Sequence, residues 1–150
     1  MSIIINEEVR NSVIARMIRT TRILDKMISE EVSEYKLTKP QFDVLLVMHF
    51  TDQDSVTTTA LAEELMVSKA NITGIVKRLE SAELIKKVTD ENDTRSKKIS
   101  LTEKGTCLID RVMPRYFEMG QELYSNFTEE ENEKLLQQLI FIEDFYTAKR

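Results

Sequence analysis

The side chains with the clearest chemical potential in this sequence lie in the segment that follows Ser68. At about 100° per residue, one face of a helix there collects small and polar residues, namely Ala70, Asn71, Thr73, Gly74, Lys77 and Arg78. Amide, hydroxyl and ammonium groups on such a face can bind base edges or phosphates, and the small residues would let the backbone sink into a major groove. A neutral surface helix with a tolerated glycine is the alternative interpretation.

The opposite face of the same segment is apolar and should point into the protein. Its members follow a helical spacing and are Ile72, Ile75, Val76 and Leu79. Ser68 precedes them as a suitable N-cap. A glycine on an exposed helix face costs about 1 kcal/mol relative to alanine, so a structural reason for Gly74 is worth seeking.

The spacing of apolar residues changes from helical to alternating after Leu84, which predicts a hairpin of two short strands. Ile85 and Val88 mark the first strand, and residues 98–101 alternate polar with apolar side chains. The turn-forming residues 90–96 lie between the two strands.

The tip of the predicted hairpin carries one arginine and one aspartate. Arg95 is long enough to enter a minor groove, where the potential is most negative when the groove is narrow. Phosphates would repel Asp93, so its role should be internal, as an ion pair with Arg78 or Arg95 that fixes the direction of the hairpin. An aspartate that only satisfies backbone N–H groups of the turn is the alternative.

The charge of the chain is divided unevenly along the sequence. The net charge is −5, but residues 68–98 contain eight basic and five acidic residues and so carry +3. The rest contains 13 basic and 21 acidic residues and carries −8. A basic segment on an acidic scaffold is typical of a nucleic-acid-binding face, although a chance fluctuation on a solvated surface is the alternative.

Three further helices are predicted before this segment. The spacing of apolar residues predicts a long amphipathic helix from about residue 6 to 35. Residues 38–41 form a capping box, with proline in the first turn of the second helix. Thr57 or Thr58 can cap a short third helix.

Three motifs in register resemble the MarR family, the multiple antibiotic resistance regulators, which are winged-helix repressors of bacteria and archaea. The motifs are SKANITGIVKRLESAELI, DxRSKK and LTEKG. The resemblance covers most of the chain and is strongest over Thr57–Gly105. It implies a mainly α fold with a small β-hairpin wing, in which a winged helix-turn-helix domain at residues 37–102 lies between long dimerisation helices at residues 1–36 and 103–150.

The resemblance also implies which residues contact double-stranded DNA. Ser68 to Lys77 would form the recognition helix, Arg95 would be the wing arginine and Asp93 its supporting acid. The full set of predicted DNA contacts is Thr38, Ser68, Lys69, Ala70, Asn71, Thr73, Gly74, Lys77, Arg78, Arg95, Lys97 and Lys98.

Two turns depart from the family pattern. The family commonly has glycine where Met66 ends the first helix of the motif and where Glu83 precedes Leu84. A residue other than glycine in a left-handed helix cap is strained by about 1 kcal/mol. Either these turns adopt another cap, or the strain is tolerated.

The C-terminal third of the sequence predicts a homodimer. Thr102 can cap a helix that Pro114 should kink, because the proline removes one backbone hydrogen bond, and residues 128–131 form a capping box for the last helix. The last helix and the N-terminal run are too apolar for a small domain to bury alone, and a second chain is the simplest partner. The predicted interface residues are Ile3, Ile4, Ile5, Leu135, Leu139, Ile142, Phe145 and Tyr146. An intramolecular core is the alternative.

Two-fold symmetry would place two recognition helices about 34 Å apart, so a homodimer would read an inverted repeat and repress transcription. A ligand that binds one spacing of the two heads more tightly would relieve repression. In the family this ligand crevice lies among the first, second and fifth helices. A small aromatic or anionic ligand would meet Arg16, Arg19, Met27, Phe42, Leu45, Met48, His49, Met113, Tyr116 and Phe117. Plain core packing is the alternative for these residues.

Composition argues against several other functions. One cysteine and one histidine allow no internal disulfide, no Cys/His zinc site and no supported nucleophile–histidine pair, so we expect neither a metal, a cofactor nor an enzyme. No apolar run reaches the roughly 18 residues of a membrane span, so we expect a cytoplasmic protein.

Cys107 could make the protein a redox sensor, but the family's cysteine-sensing branch places its thiol near the N-terminal helix, which favours a structural thiol here. A protein-interaction module without DNA binding is the other alternative, because a fold does not fix a function.

Overall fold

The computed structural model describes residues 6–89 and 97–148 and separates into two compact units, Met1–Met113 and Pro114–Arg150. Within the described residues, the helices are α1 Glu7–Asn11, α2 Val13–Ser33, α3 Lys39–Phe50, α4 Thr58–Glu64, α5 Lys69–Ser81, α6 Glu103–Tyr124 and α7 Glu129–Thr147. The strands are β1 Val56–Thr57, β2 Ile85–Thr89 and β3 Lys97–Leu101. The predicted mainly α fold with a small β-sheet is confirmed. Among the helices described here, none is long and apolar enough to span a membrane.

The predicted long first helix is wrong near its start, because the helix breaks at Ser12. This residue has an extended backbone, with φ −63° and ψ 144°. Its Oγ accepts a hydrogen bond from the Ala15 N–H at 3.3 Å and donates one to the Val9 carbonyl at 3.0 Å. Ser12 therefore ends α1 and caps α2, which itself ends at Ser33.

The predicted capping box starts α3 as expected. The Gln41 N–H donates to Thr38 Oγ1 at 3.4 Å, and the Thr38 N–H donates to Gln41 Oε1 at 2.9 Å. Lys39 then links α3 to α2, because its Nζ lies 2.8 Å from Asp43 Oδ2 and 3.1 Å from Asp25 Oδ1. Burial disfavours the charge of this lysine, but the hydrogen bonds and charges of the two aspartates outweigh that effect and raise the pKa of Lys39.

The core of the first unit combines side chains from α3, α4, α5, the sheet and the first half of α6. Its largest fully buried members include Phe42, Leu45, Leu61, Ile72, Leu79, Ile85, Ile99 and Ile109. Burial of each such side chain contributes about 1.5–3 kcal/mol relative to leaving it in water. The helix pair α4–α5 is therefore held against the sheet by hydrophobic packing.

The three strands form one antiparallel sheet in the order β1-β3-β2. β2 and β3 are the predicted hairpin strands, with Ile85 opposite Leu101. The sequence does not predict β1, because two residues are too short to show an alternating pattern. Val56 of β1 pairs with Ile99 of β3 and so joins the segment before α4 to the hairpin.

Three helices end in the same left-handed turn, although none has a glycine there. Lys36, Met66 and Glu83 have φ values of 60°, 53° and 60°. In each turn the N–H of the following residue donates to the carbonyl five residues earlier, at 3.0–3.2 Å, which satisfies a terminal carbonyl of the helix. Met66 and Glu83 therefore adopt the glycine-type cap, at a cost of about 1 kcal/mol each, rather than another cap.

The second unit contains the remainder of α6, which continues through Pro114, and all of α7. α7 begins at the predicted capping box, where Thr128 Oγ1 accepts from the Glu131 N–H at 3.2 Å. The Thr128 N–H and hydroxyl donate in return to the Glu131 carboxylate, and these hydrogen bonds lower the pKa of Glu131. Asn132 Nδ2 donates to the Tyr124 carbonyl at 3.2 Å and so links the start of α7 to the end of α6.

Candidate nucleic-acid interface

α5 divides its residues into a buried and an exposed face, as the sequence predicts. The buried residues are Ile72, Ile75, Val76 and Leu79. The opposite side exposes Lys69, Ala70, Asn71, Thr73, Lys77 and Arg78, with Gly74 half-buried among them. Ser68 caps the helix, because its Oγ accepts from the Asn71 N–H at 3.2 Å. The polar residues of α5 are thus available to an external partner.

Three cations on the exposed side of α5 make no ion pair with any residue that the structure describes: Lys69, Lys77 and Arg78. By contrast, Nζ of Lys87 on the adjacent strand lies 2.9 Å from Glu80 Oε2. Because the charges of the three cations are not compensated by described residues, they can neutralise phosphates at little cost to the fold.

Asn71 is the polar side chain of this face best suited to read a base. Its amide has no hydrogen-bond partner among the described residues, so its donor and acceptor can form a bidentate pair with adenine. Thr73 differs, because its Oγ1 donates to the Lys69 carbonyl at 2.8 Å. With its proton used inside the helix, Thr73 offers a base only a methyl group and acceptor lone pairs. The sequence alone does not distinguish these two roles.

No contact within the described structure requires glycine at position 74. A Cβ added there would lie 3.7 Å from Arg78 Nη2, which is an ordinary van der Waals distance. No glycine in the described residues has a positive φ, so backbone conformation does not require it either. Gly74 is therefore either a tolerated surface glycine or a position that lets an external molecule approach the backbone closely.

The LTEKG motif fastens the base of the hairpin to the end of α5. Thr102 Oγ1 donates to the Glu83 carbonyl at 2.6 Å and accepts from the Gly105 N–H at 3.0 Å, so Thr102 also caps α6. Lys104 Nζ donates to the Ala82 carbonyl at 2.7 Å. These bonds hold the left-handed turn after α5 in place, a role that the sequence does not predict.

Only glycine fits at position 105 of this motif. A Cβ at this position would overlap the Leu84 carbonyl oxygen, and it would lie 3.0 Å from the Leu84 carbonyl carbon and 3.3 Å from Leu101 Cδ2. The Leu84 carbonyl also accepts from the Thr102 N–H at 3.1 Å, so it cannot move independently. The backbones of α6 and of the turn before β2 therefore pack in direct contact.

Several residues that are predicted to contact DNA or to support the wing do not belong to α5. Asp93, Arg95 and the side chain of Lys97 lie outside the described residues. Lys98 is half-buried in β3. Thr38 is exposed, and its hydroxyl and N–H belong to the cap of α3. The DNA contacts of Thr38, Arg95, Lys97 and Lys98 and the supporting role of Asp93 remain predictions.

The residues predicted to line a ligand crevice differ in burial. The buried ones are Phe42, Leu45, Met48 and Met113, the half-buried ones are Met27, His49 and Tyr116, and the exposed ones are Arg16, Arg19 and Phe117. Arg16 Nη2 donates to Asn11 Oδ1 at 2.6 Å, and His49 Nδ1 lies 3.7 Å from Asp110 Oδ1. Cys107, the other predicted sensor, is exposed on α6. The crevice and the redox role remain predictions.

α7 contains no buried residue within the described chain. Its predicted interface residues Leu135, Leu139, Ile142, Phe145 and Tyr146 are 38% to 55% exposed. The ring of Phe145 also stacks on that of Phe141 at 6.4 Å. A helix with so much apolar surface in water is typical of an association surface. The predicted contacts at residues 3–5 lie outside the described residues.

The α4–α5 pair, followed by the antiparallel strands β2 and β3, defines a winged helix-turn-helix protein. A sequence model of the MarR family matches residues 37–97. With this match and the similarities that follow, the chain belongs to the MarR family.

Two curated relatives are named as HTH-type transcriptional regulators. PecS of Dickeya dadantii is 30% identical over 124 residues, which cover 82% of this chain and 75% of PecS. PapX of Escherichia coli is 31% identical over 116 residues, which cover 77% of this chain and 71% of PapX. These relatives agree with a regulatory function.

Solved structures share the fold. A Staphylococcus aureus MepR–DNA complex matches with a TM-score of 0.82 and 25% identity, over 89% of this chain and 97% of MepR. AbsC, a MarR family transcriptional regulator from Streptomyces coelicolor, matches with a TM-score of 0.84 and 19% identity, over 99% of both chains. The similarity to AbsC concerns the fold alone.

Proposed function

We propose that the protein is a transcriptional regulator that binds double-stranded DNA through the exposed face of α5. The observation that carries the proposal is the division of α5, whose apolar stripe is buried while Lys69, Lys77 and Arg78 lie outside without an ion pair to a described residue. The DNA complex of the structural neighbour MepR supports this role. α5 would enter the major groove, with Asn71 at a base edge and the cations at phosphates.

The proposed DNA-binding form is a homodimer that acts as a repressor. The exposed apolar residues of α7 support self-association, because a second copy would remove them from water. Two α5 helices related by a two-fold axis would enter successive major grooves about 34 Å apart, and the operator would be an inverted repeat. Occupation of a promoter by this dimer would block transcription.

In this proposal a small aromatic or anionic ligand relieves repression. The ligand binds more tightly to a dimer in which the two DNA-binding domains have a spacing that does not fit the operator. Arg19 is the stronger candidate for an anion. Its neighbour Arg16 donates a hydrogen bond to Asn11, whereas Arg19 makes no hydrogen bond or ion pair with a described residue.

The test of DNA binding compares the DNA upstream of the protein's own gene with a random duplex of equal length at several salt concentrations. We expect tighter binding to the upstream DNA and a steep fall of affinity with salt, because each neutralised phosphate adds about 0.9 to the slope. No binding to either duplex at low salt would overturn the proposal. Equal binding to both would exclude autoregulation.

The wing is tested by Arg95→Ala. We expect affinity for the operator to fall about tenfold, because an arginine in a narrow minor groove loses a favourable electrostatic contact. The salt slope should also decrease by about 1 if the guanidinium neutralises a phosphate charge. Arg111→Ala is the matched control, because Arg111 is exposed on α6 outside the proposed DNA-binding residues. Equal affinities of the Arg95→Ala variant and the control would remove the wing from the mechanism.

The homodimer is tested by Leu139→Glu, which places a carboxylate in the apolar surface of α7. We expect sedimentation equilibrium to show a shift from dimer toward monomer, because an unpaired charge in an apolar interface costs several kcal/mol. DNA binding should weaken in parallel, since one head alone contacts half of the operator. Gln137→Glu adds the same charge at an exposed polar position of α7 and should remain dimeric. A dimeric Leu139→Glu variant would contradict the proposed interface.

A further inference from the structure

An open cavity on the first unit belongs neither to the α5 face nor to the predicted ligand crevice. It has a volume of about 470 Å³ and lies where the end of α3 meets β1 and α4. Its lining residues include Phe50, Val56, Ala60, Leu61 and Glu64. The volume is within the range of small-molecule sites.

The floor of this cavity is apolar and well fixed, and its edge is aromatic. Leu61 and Val56 are core residues, 1% and 7% exposed. Phe50 at the end of α3 is 58% exposed, and its ring is held edge to face against His49, with centroids 5.0 Å apart. An aromatic ring held at the edge of a cavity can stack on an apolar group or bind a cation with its face.

The described lining of the cavity carries a negative charge, and the segment that supplies most of this lining is acidic. Among the described residues that line the cavity, Glu64 is the only ionisable one. Residues 51–67 contain no lysine or arginine and four acids, which are Asp52, Asp54, Glu63 and Glu64. None of these carboxylates forms an ion pair with a described residue. This environment attracts a positive charge and repels an anion.

We infer that this cavity is a binding site for a small organic cation, namely an amine or ammonium ion with an aromatic or branched apolar body. The apolar body would cover Val56 and Leu61. The positive charge would lie between the Glu64 carboxylate and the ring of Phe50, where it gains both a Coulomb and a cation–π interaction.

The position of the site connects it to both proposed DNA-reading elements. Ala60, Leu61 and Glu64 belong to α4, which packs against α5, and Val56 pairs with Ile99 of the hairpin. A bound cation therefore contacts the supports of the recognition helix and of the wing. Its effect on DNA affinity rests on the proposed function, whereas the binding site itself does not.

The binding test uses benzyltriethylammonium as the cation and 4-tert-butylbenzoate as an anion with a similar apolar body. Backbone amide NMR shifts are followed in the DNA-free protein, so the result is independent of DNA binding. We expect the cation to shift residues 46–64 and to saturate in the millimolar range, as for a ligand of about 14 heavy atoms at modest efficiency. The anion should leave these residues unshifted. Equal shifts from both compounds, or cation shifts confined to other residues, would overturn the inference.

Two variants and one control locate the cation. Glu64→Gln should weaken cation binding about two- to fivefold, in keeping with a single exposed ion pair. Ala60→Phe should abolish it by filling the cavity, and thermal unfolding would confirm that this exposed substitution leaves the fold intact. Glu63→Gln removes the neighbouring charge of α4, which does not line the cavity, and should weaken binding less than Glu64→Gln does. Wild-type affinity in both Glu64→Gln and Ala60→Phe would contradict the site.

The regulatory effect is tested by a DNA titration with and without saturating cation. We expect the operator affinity of the wild-type protein to change and that of Ala60→Phe to stay constant. The cation can change the DNA affinity of α5 only if it binds more tightly to one position of α4 than to another. No change in the wild-type protein would exclude coupling, and an equal change in the Ala60→Phe variant would assign the effect to another site.

Discussion

Gly74→Ala is expected to stabilise the protein and at the same time to weaken its binding to DNA. The added methyl group meets only Arg78 Nη2, at 3.7 Å, so the fold can accommodate it. Alanine in place of a helical glycine favours folding by about 1 kcal/mol, which corresponds to a rise in Tm of about 2–4 °C. On the face proposed to enter the major groove, the same methyl group keeps the backbone from the bases. We expect a loss of operator affinity of about tenfold, measured by fluorescence anisotropy.

Gly120→Ala separates these two effects. Gly120 also lies in a helix, and a Cβ there would meet nothing within 4 Å in the described structure. This variant should therefore gain similar stability and bind the operator as the wild-type protein does. If Gly74→Ala is stabilised and binds DNA with unchanged affinity, the glycine is not needed for close approach to the bases and is only tolerated on this face of α5.

The buried face of α5 could be predicted from its apolar spacing, and its start could be predicted from its cap. The helical spacing of Ile72, Ile75, Val76 and Leu79 leaves a single direction in which all four can be buried. Ser68 and the later Thr128 mark helix starts by local hydrogen bonding, which depends on a few adjacent residues only.

Features that depend on distant contacts or on a choice between local alternatives could not be predicted. The break at Ser12 requires that the serine cap a new helix, while an uninterrupted helical spacing is compatible with the same residues. Lys36 adopts a left-handed turn that lysine does not favour, so the backbone hydrogen bonds that end α2 outweigh its local preference. β1 exists because Val56 pairs with Ile99, which lies far along the chain.

The candidate site was predictable to a similar degree. Which residues of α5 are exposed follows from periodicity, but the different hydrogen bonding of Asn71 and Thr73 depends on a side-chain rotamer. The cavity beside Phe50 requires β1 and the loop before it to be placed by the hairpin, so no local pattern indicates it. The acidic composition of residues 51–67 is visible in the sequence, yet it acquires a meaning only once that cavity is known.

Gly105→Ala is expected to be strongly destabilising, in contrast to Gly74→Ala. Its Cβ would overlap the Leu84 carbonyl oxygen, which is already held by the Thr102 N–H at 3.1 Å. To avoid the overlap, the start of α6 must move away from the turn after α5. This movement weakens the hydrogen bonds that Thr102 makes there. Overpacking of this kind costs about 1–3 kcal/mol or more, which outweighs the helix propensity of alanine. Urea unfolding should show a lower midpoint with an unchanged slope.

Gly120→Ala is again the matched control, because both glycines lie in α6 and only Gly105 is crowded by backbone atoms. The two variants should change stability in opposite directions. The folded fraction of Gly105→Ala should also bind DNA more weakly, because the LTEKG motif joins the base of the hairpin to the recognition helix and a shifted start of α6 would redirect the wing. If Gly105→Ala unfolds at the same urea concentration as the wild-type protein, then the close contact of Gly105 with Leu84 does not affect stability. The motif would then hold the turn after α5 through Thr102 and Lys104 alone.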